Sequence, residues 1–273
     1  MKVRAPSVTG TAMGPLSIRL WTLFVLVLIL QPAVAQFCTF WDSSCVDPLA
    51  QTAVPISFRP LILQDISLYF AYDSSADGED GQPMTKSSVW LTWNNPRADK
   101  SVITANRTSE IAMRVGNLTG TPGGSNNGCD NVWGTACSNT IKDTLKENMY
   151  NLSIQGSYYP QPLETVLSEL KVDQPSLASC PQQFFDVSEI PVQVFAQEIM
   201  PEQKPILRSR GSMDDPFSVW YLDKMTAYGM ADQVAVAILS RGPTYNSQPP
   251  SSPDDIQIEL ACVQAPGGSA TGD

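Results

Sequence analysis

The 273-residue chain carries 17 Lys plus Arg against 27 Asp plus Glu, which gives a formal net charge of −10 at pH 7. A surface this acidic repels phosphate backbones, so we expect no nucleic-acid partner. The chain contains no histidine, which excludes Ser-His-Asp and Cys-His catalytic sets, histidine-ligated metals and histidine acid–base catalysis.

The N-terminal segment has the organisation of a cleavable signal peptide. Lys2, Arg4 and Arg19 precede an apolar run over Leu20–Leu30, and Ala33-Val34-Ala35 matches a signal-peptidase site. The run has eleven residues, whereas a membrane-spanning helix needs about 20. We therefore predict secretion, with no membrane attachment after cleavage, and three segments: a signal peptide over residues 1–35, a secreted globular domain over residues 36–265 and a disordered C-terminal tail over residues 266–273.

The first part of the domain has the alternating pattern of strands. Ile66–Tyr72, Val89–Trp93 and Ile111–Val115 each alternate apolar and smaller or polar residues, which predicts strands. Between them, Asp73–Gln82 is rich in Gly and Asp and is predicted to be an exposed loop. Its first residues match part of a calcium-loop pattern, but Met84 occupies the position of the bidentate glutamate, so an acidic loop is favoured over a calcium site.

A glycine-rich segment and three helices are predicted to follow. Asn117–Cys137 is predicted to be a long loop that a disulfide restrains. Apolar residues four apart after Ser138 or Asn139 predict one helix, and Leu163–Leu170 predicts a second, short one. Asp214-Asp215-Pro216 has the residues of a helix start and predicts a third helix.

Two strands are predicted near the C-terminus. Gln233–Ser240 is apolar on both faces and predicts a buried central strand, and Ile256–Cys262 alternates cleanly. A proline-rich loop over Gly242–Pro253 joins them. The whole pattern predicts an α+β fold: a single disulfide-bonded extracellular domain that is strand-rich at both ends with helices between.

Cysteines and sequons fit an extracellular domain. An even number of cysteines predicts three disulfides, with fifteen pairings allowed: the six are Cys38, Cys45, Cys129, Cys137, Cys180 and Cys262. Proximity in sequence favours Cys38–Cys45 and Cys129–Cys137, which leaves Cys180–Cys262. Three Asn-x-Ser/Thr sequons predict N-glycosylation, at Asn106, Asn117 and Asn151.

No catalytic motif is recognisable. The chain has no Gly-x-Ser-x-Gly, no phosphate loop and no Cys-x-x-Cys, and we expect no metal and no cofactor. Carboxylate pairs remain as the available chemistry, but no spacing selects a pair from the candidates Asp65, Glu110, Asp130, Glu164, Glu169, Asp186, Glu189, Glu198 and Glu259. Most of them are expected to be solvated surface groups.

Aromatic side chains could stack on sugar rings. Trp90 and Trp93 are three residues apart in a predicted strand, so they point to opposite faces and cannot form one platform. Trp133, Tyr158 and Tyr159 lie in predicted loops and are the candidate ligand-binding aromatics. Packing in the core is the competing and commoner use of such residues.

Three stretches resemble an uncharacterised family of secreted proteins of filamentous fungi. They read NLTGTPGGSNNGCDNVWGTAC from Asn117, QVAVAILSR from Gln233 and SPDDIQIELAC from Ser252. The resemblance implies a fungal extracellular protein and carries no activity with it.

Together these features predict a secreted, disulfide-bonded, N-glycosylated protein without recognisable catalytic machinery. We expect it to bind at the cell wall, to a polysaccharide, or to an extracellular protein. The alternative is a carboxylate-dependent carbohydrate-active enzyme of the glycoside hydrolase type, which the surplus of acidic residues allows.

Overall fold

The computed structural model describes eleven stretches of the chain: residues 50–58, 61, 64–77, 83–94, 106–116, 118–181, 184–187, 190–199, 204–207, 218–222 and 233–264. All of them belong to a unit that spans Cys38–Asp273. The predicted signal peptide and C-terminal tail lie outside the described residues, as do Cys38, Cys45, Asn117 and Glu189.

In the described part of this unit, nine strands form two antiparallel sheets. The first sheet has the order β1-β2-β3-β7, and its strands are β1 (Ala50–Pro55), β2 (Gln64–Asp77), β3 (Pro83–Asn94) and β7 (Ser218–Leu222). The second sheet has the order β6-β5-β4-β8-β9, and its strands are β4 (Arg107–Arg114), β5 (Val192–Ile199), β6 (Lys204–Leu207), β8 (Ala235–Pro243) and β9 (Gln257–Val263).

Helices cover the face of the second sheet that points away from the first. They are α1 (Asp130–Trp133), α2 (Thr135–Gln155) and α3 (Pro162–Val172), with a short 3₁₀ turn at Pro253–Asp255. Pro162 opens α3, where its fixed φ and missing N–H cost nothing.

Two hydrophobic cores lie on the two sides of the second sheet. Between the sheets, Phe70 and Leu91 pack with residues such as Ile111 and Leu239. On the other side, the apolar stripes of α2 and α3 pack on the sheet, and the set includes Ala112, Val236, Ile238, Leu145 and Leu167. Since β8 contributes to both cores, both of its faces must be apolar.

The mixed α+β class is confirmed. The predicted strands at Ile66–Tyr72, Val89–Trp93 and Ile256–Cys262 lie within β2, β3 and β9, apart from Ile256, which immediately precedes β9. The predicted buried strand, Gln233–Ser240, lies in β8 from Ala235 onward, between β4 and β9. The first two predicted helices are α2 and α3, although α2 begins at Thr135 rather than near Ser138.

Three local predictions are wrong in whole or part. The helix predicted from Asp214 is not formed at Ser218–Leu222, because the backbone there pairs with β3, and Val-Trp-Tyr favours a strand once a partner edge is available. The loop predicted from Asp73 instead extends β2 to Asp77. The long loop predicted up to Cys137 contains α1 and the start of α2.

Two of the three disulfides predicted from proximity, Cys129–Cys137 and Cys180–Cys262, are wrong, and the third, Cys38–Cys45, lies outside the described residues. Among the described residues the bridges are Cys129–Cys262 and Cys137–Cys180, each with Cα atoms 4.9 Å apart. The turn before α1 is hydrogen-bonded to the end of β9, from Cys262 N–H to the Asn127 carbonyl at 3.1 Å. This contact directs Cys129 toward the sheet, because Cβ direction rather than sequence distance decides which cysteines can join.

Candidate functional site

An open groove of about 650 Å³ lies along β4 and β5, next to the segment that leads into α3. Its lining combines hydroxyl and amide side chains with apolar and aromatic ones: Thr108, Gln161, Gln193, Gln197, Pro160, Val192, Val194 and Tyr245. None of these lining residues carries a charge. The groove therefore offers neutral hydrogen-bonding groups beside an aromatic ring.

Tyr245 is the aromatic residue that the groove exposes. Its side chain is 61% exposed, and its ring packs edge-on against Tyr159 with centroids 5.7 Å apart. Tyr159 packs in the same way on Tyr158, at 4.9 Å. The three rings form a row from the core to the surface, so the exposed ring is supported from below.

The loop that carries Tyr245 is held by hydrogen bonds at both of its ends. Thr244 donates its N–H to the Asn106 carbonyl at 3.2 Å and shares a 2.6 Å hydroxyl contact with Thr108. Ser247 donates its N–H to the Thr244 carbonyl at 3.1 Å and accepts the Tyr159 hydroxyl at its own carbonyl at 3.0 Å. The ring of Tyr245 is thus placed before any ligand arrives.

A buried carboxyl, Glu110, lies two residues after Thr108 on the same face of β4. It is 2% exposed, and its Oε2 accepts the Leu163 N–H at 3.2 Å and the Ser240 hydroxyl at 3.5 Å. Its Oε1 has no hydrogen-bond partner among the described residues. Burial raises the pKa of Glu110 to about 7, against the lowering effect of these two hydrogen bonds, and the charge of Glu164 adds to the rise.

Tyr158 is the second buried polar residue near this carboxyl. It is 2% exposed, and its hydroxyl has no partner among the described residues. Burial raises the pKa of this hydroxyl, and the negative charge of Glu110 raises it further. The hydroxyl lies against Gly242 of β8, where any Cβ would overlap it, so the close approach requires glycine at that position.

The other fully buried carboxyl of the sheet, Glu198, lies on the opposite face. Arg241 donates two hydrogen bonds to it, from Nε to Oε1 at 2.9 Å and from Nη2 to Oε2 at 3.0 Å. Ser240, which contacts Glu110, directly precedes Arg241 in β8. Since successive side chains of a strand point to opposite faces, Glu110 and Glu198 cannot flank one substrate bond.

The remaining candidate acids serve structure or lie at the surface. Asp130 accepts hydrogen bonds from Asn126, Ser138 and Thr135 at 2.6–2.8 Å. Burial acts to raise its pKa, but these bonds and the charge of Lys142 outweigh it and lower the pKa below its usual value. Glu259 pairs with Lys142 at 2.8 Å, and four acids are exposed: Asp65, Glu164, Glu169 and Asp186.

The three aromatics singled out in the sequence are not an exposed platform. The expectation that Tyr158 is exposed is wrong, because the row of rings and α3 enclose it. Trp133 and Tyr159 are half-buried; the Trp133 indole donates to Ser138 at 2.9 Å and packs edge-on against Phe184. Sequence reasoning missed Tyr245, although a lone aromatic in a Pro- and Ser-rich loop was a usable signal.

Trp90 and Trp93 do point to opposite faces of β3, as predicted. Trp93 packs in the core between the sheets. Trp90 packs with Ala71 on the other face, where its ring stacks on Tyr69 at 5.2 Å. Both rings are buried, so neither is available to a ligand.

Two of the three sequons lie in the described part of the chain. Asn151 is exposed on α2, and Asn106 is half-buried directly before β4. N-glycosylation at these positions stays a prediction.

Within the described ranges, no group of three or more acidic or cysteine side chains is placed to hold a metal ion. The helices described there are all too short or too polar to span a membrane. Compared with known proteins, the chain matches no protein-family profile, no curated protein and no solved structure.

Proposed function

We propose that this protein is a secreted carbohydrate-binding protein that holds a neutral glycan in the groove beside Tyr245. The observation that carries the proposal is the exposed, ring-supported Tyr245 among uncharged amide and hydroxyl side chains. A sugar ring presents an apolar C–H face that packs on an aromatic ring, and hydroxyls that exchange hydrogen bonds with Gln and Thr. Sites of this kind combine apolar area with a few placed polar groups.

Charge narrows the class of glycan. The described residues that line the groove include no cation that could pair with an acidic sugar. The chain as a whole has a formal charge of −10, which repels polyanions. Neutral polysaccharides such as chitin, β-glucan, cellulose and mannan fit both observations.

An extracellular setting is part of the same proposal. The signal-peptide pattern of residues 1–35, the three sequons and the resemblance to secreted fungal proteins all support it. The two disulfides among the described residues support it further, because disulfides are typical of oxidising compartments. The ligand is then a cell-wall or environmental polysaccharide.

The alternative of a carboxylate-dependent enzyme has less support. A glycosidase needs two carboxyl groups on either side of the scissile bond. Among the described residues, the groove lining contains neither Asp nor Glu, and the two fully buried carboxyls, Glu110 and Glu198, lie on opposite faces of the sheet. A binding protein needs no such pair.

Co-sedimentation of the purified full-length protein with insoluble chitin, β-glucan, cellulose and mannan tests the proposal. We expect binding to at least one polymer without release of soluble sugar. Tyr245→Ala should weaken that binding about tenfold or more, because an aromatic contact of this size contributes more than 1 kcal/mol.

Ile154→Ala is the matched control, since Ile154 is 67% exposed and does not line the groove. Binding to none of the four polymers, or equal binding by Tyr245→Ala and the wild type, would overturn the proposal. Released sugars would favour the enzyme instead.

A further inference from the structure

Glu110 is connected to the groove through the segment that enters α3. The amide of Leu163 donates to its carboxyl. Two and three residues earlier, Gln161 and Pro160 line the groove, and Tyr158, at the start of the same segment, begins the row of rings that supports Tyr245. A change at this carboxyl therefore reaches both walls of the groove through a few covalent and packing contacts.

Burial makes the carboxylate of Glu110 costlier than the neutral acid, although the two hydrogen bonds to Oε2 favour the carboxylate. Only Oε2 receives hydrogen bonds, while Oε1 and the Tyr158 hydroxyl are buried without partners among the described residues. A buried carboxylate with one unsatisfied oxygen is costly, and the cost falls when water or a donor reaches that oxygen. Ionisation thus favours opening of the contact between β4 and the start of α3.

We propose that the protonation state of Glu110 regulates the groove: the neutral acid holds Pro160 and Gln161 in their binding positions, and its ionisation loosens them and weakens carbohydrate binding. This inference rests on the proposed function, because it concerns the same groove. Glu110 acts here as a positioning residue, since it lies beneath the groove and does not line it.

The groups around the Glu110 carboxyl determine how readily it ionises as the pH rises. Tyr158 and Ser240 face it from the segment before α3 and from β8, and both are uncharged at neutral pH. Glu164, in the first turn of α3, contributes a negative charge that disfavours ionisation. Arg107 and Asp255 act on the neighbouring Tyr158 with opposite signs.

Proton linkage gives the direction and the maximum size of the pH effect on the closed and open forms of the groove. Burial raises the pKa of Glu110 from 4.5 to about 7, so the closed arrangement is favoured at acidic pH and loses that advantage as pH rises through 7. The difference in pKa limits the shift between closed and open forms to a factor of about 300. We expect only part of this limiting shift to change the affinity, so that binding is about tenfold weaker at pH 9 than at pH 5.

Hydrogen exchange tests the device without any ligand. In the wild type, the protection factors of the amides over residues 158–167, corrected for intrinsic exchange, should fall with a midpoint near pH 7. Amides of α2 at residues 141–149 serve as the internal control and should stay protected. Glu110→Gln, which cannot ionise, should remove the transition.

Two further variants should move the midpoint in opposite directions. Ser240→Ala removes a hydrogen bond that stabilises the carboxylate and should raise the midpoint by about half a pH unit. Glu164→Gln removes a nearby negative charge at an exposed position and should lower it by a few tenths of a pH unit. Because Glu164 is exposed, its variant keeps the test decisive if Glu110→Gln does not fold.

Binding to the four insoluble polymers at about pH 5 and about pH 9 completes the test. We expect the wild type to bind more weakly at the higher pH and Glu110→Gln to bind equally at both. If no polymer binds but the exchange transition occurs, the carbohydrate proposal fails while the proton-driven opening stands. An unchanged exchange profile in the wild type, or the same transition in Glu110→Gln, overturns the inference.

Discussion

The two faces of the second sheet each bury one carboxyl, and the two carboxyls have different hydrogen-bond partners. On the face toward the first sheet, Glu198 meets a guanidinium that satisfies both of its oxygens. On the helix face, Glu110 receives only an amide and a hydroxyl, both on one oxygen. Both carboxyls are buried in the same sheet, but only Glu198 has a cation as its partner; burial without a cation raises the pKa of Glu110 to about 7. The comparison therefore pairs a carboxyl held by a cation with one whose charge state we propose to change near neutral pH.

The largest expected effect comes from breaking the ion pair. Arg241→Ala should lower the free energy of unfolding by roughly 3–5 kcal/mol, because it leaves Glu198, which is 1% exposed, charged and unpaired. Urea unfolding followed by circular dichroism measures this. Replacing both members, as Arg241→Met with Glu198→Leu, should recover most of the loss. A cost below about 1 kcal/mol for Arg241→Ala would show that solvent reaches the pair.

The next effect is the pH dependence that Glu110 confers on stability. Between pH 4.5 and about 7 the folded chain holds a proton on this carboxyl that the unfolded chain does not. Stability is therefore greatest below pH 4.5 for this group and falls by on the order of 3 kcal/mol as pH rises through 7. The difference between the urea-unfolding profiles of the wild type and Glu110→Gln isolates the contribution. Parallel profiles would contradict it.

Gly242→Ala should cost about 1–3 kcal/mol, since the added methyl overlaps the buried Tyr158 hydroxyl. Thermal unfolding measures the loss. In the Tyr158→Phe background the same change should cost clearly less, because the overlapping oxygen is gone. If Gly242→Ala lowered the stability equally in the two backgrounds, the added methyl would not be clashing with the Tyr158 hydroxyl.

The smallest expected effect is that of Tyr158→Phe alone. Removing a buried hydroxyl that has no partner should leave the free energy of unfolding unchanged within about 1 kcal/mol, or raise it slightly. Tyr150→Phe, on the half-buried face of α2, is a suitable control. A larger destabilisation would show that the hydroxyl is hydrogen-bonded in the folded protein.

Sequence patterns predicted the parts of this fold in which the local order of apolar and polar residues indicates which faces are buried. The apolar run of β8 indicates burial on two faces, and β8 contributes to both cores. The alternation of β9 indicates burial on one face, but Ala261 and Val263 are also buried in the core between the sheets, so the end of β9 is covered on both faces. The strand at Ser218–Leu222 could not be found in this way, because its conformation depends on the edge of β3. Local helix-start residues at Asp214 carried no information about that partner.

The candidate site was harder to predict for the same reason. Nothing local distinguishes Glu110 from the other acids; it is buried only because β4 lies between β5 and β8 and α3 covers its face. Tyr158 is adjacent to Tyr159 in sequence, yet the first ring points inward and the second lies nearer the surface. Such differences arise from packing across elements far apart in the chain.

The two bridges also constrain how the chain can be made. Cys137–Cys180 spans 43 residues, whereas Cys129–Cys262 spans 133 and joins the start of α1 to the last strand. During synthesis Cys129 emerges long before β9 exists, with Cys137 as its near neighbour. Oxidation at that stage can only pair Cys129 wrongly, and thiol–disulfide exchange must later reverse that bond. The oxidase must form the bonds and an isomerase must rearrange them, so yield in a host should depend on its disulfide isomerase as well as on its oxidase.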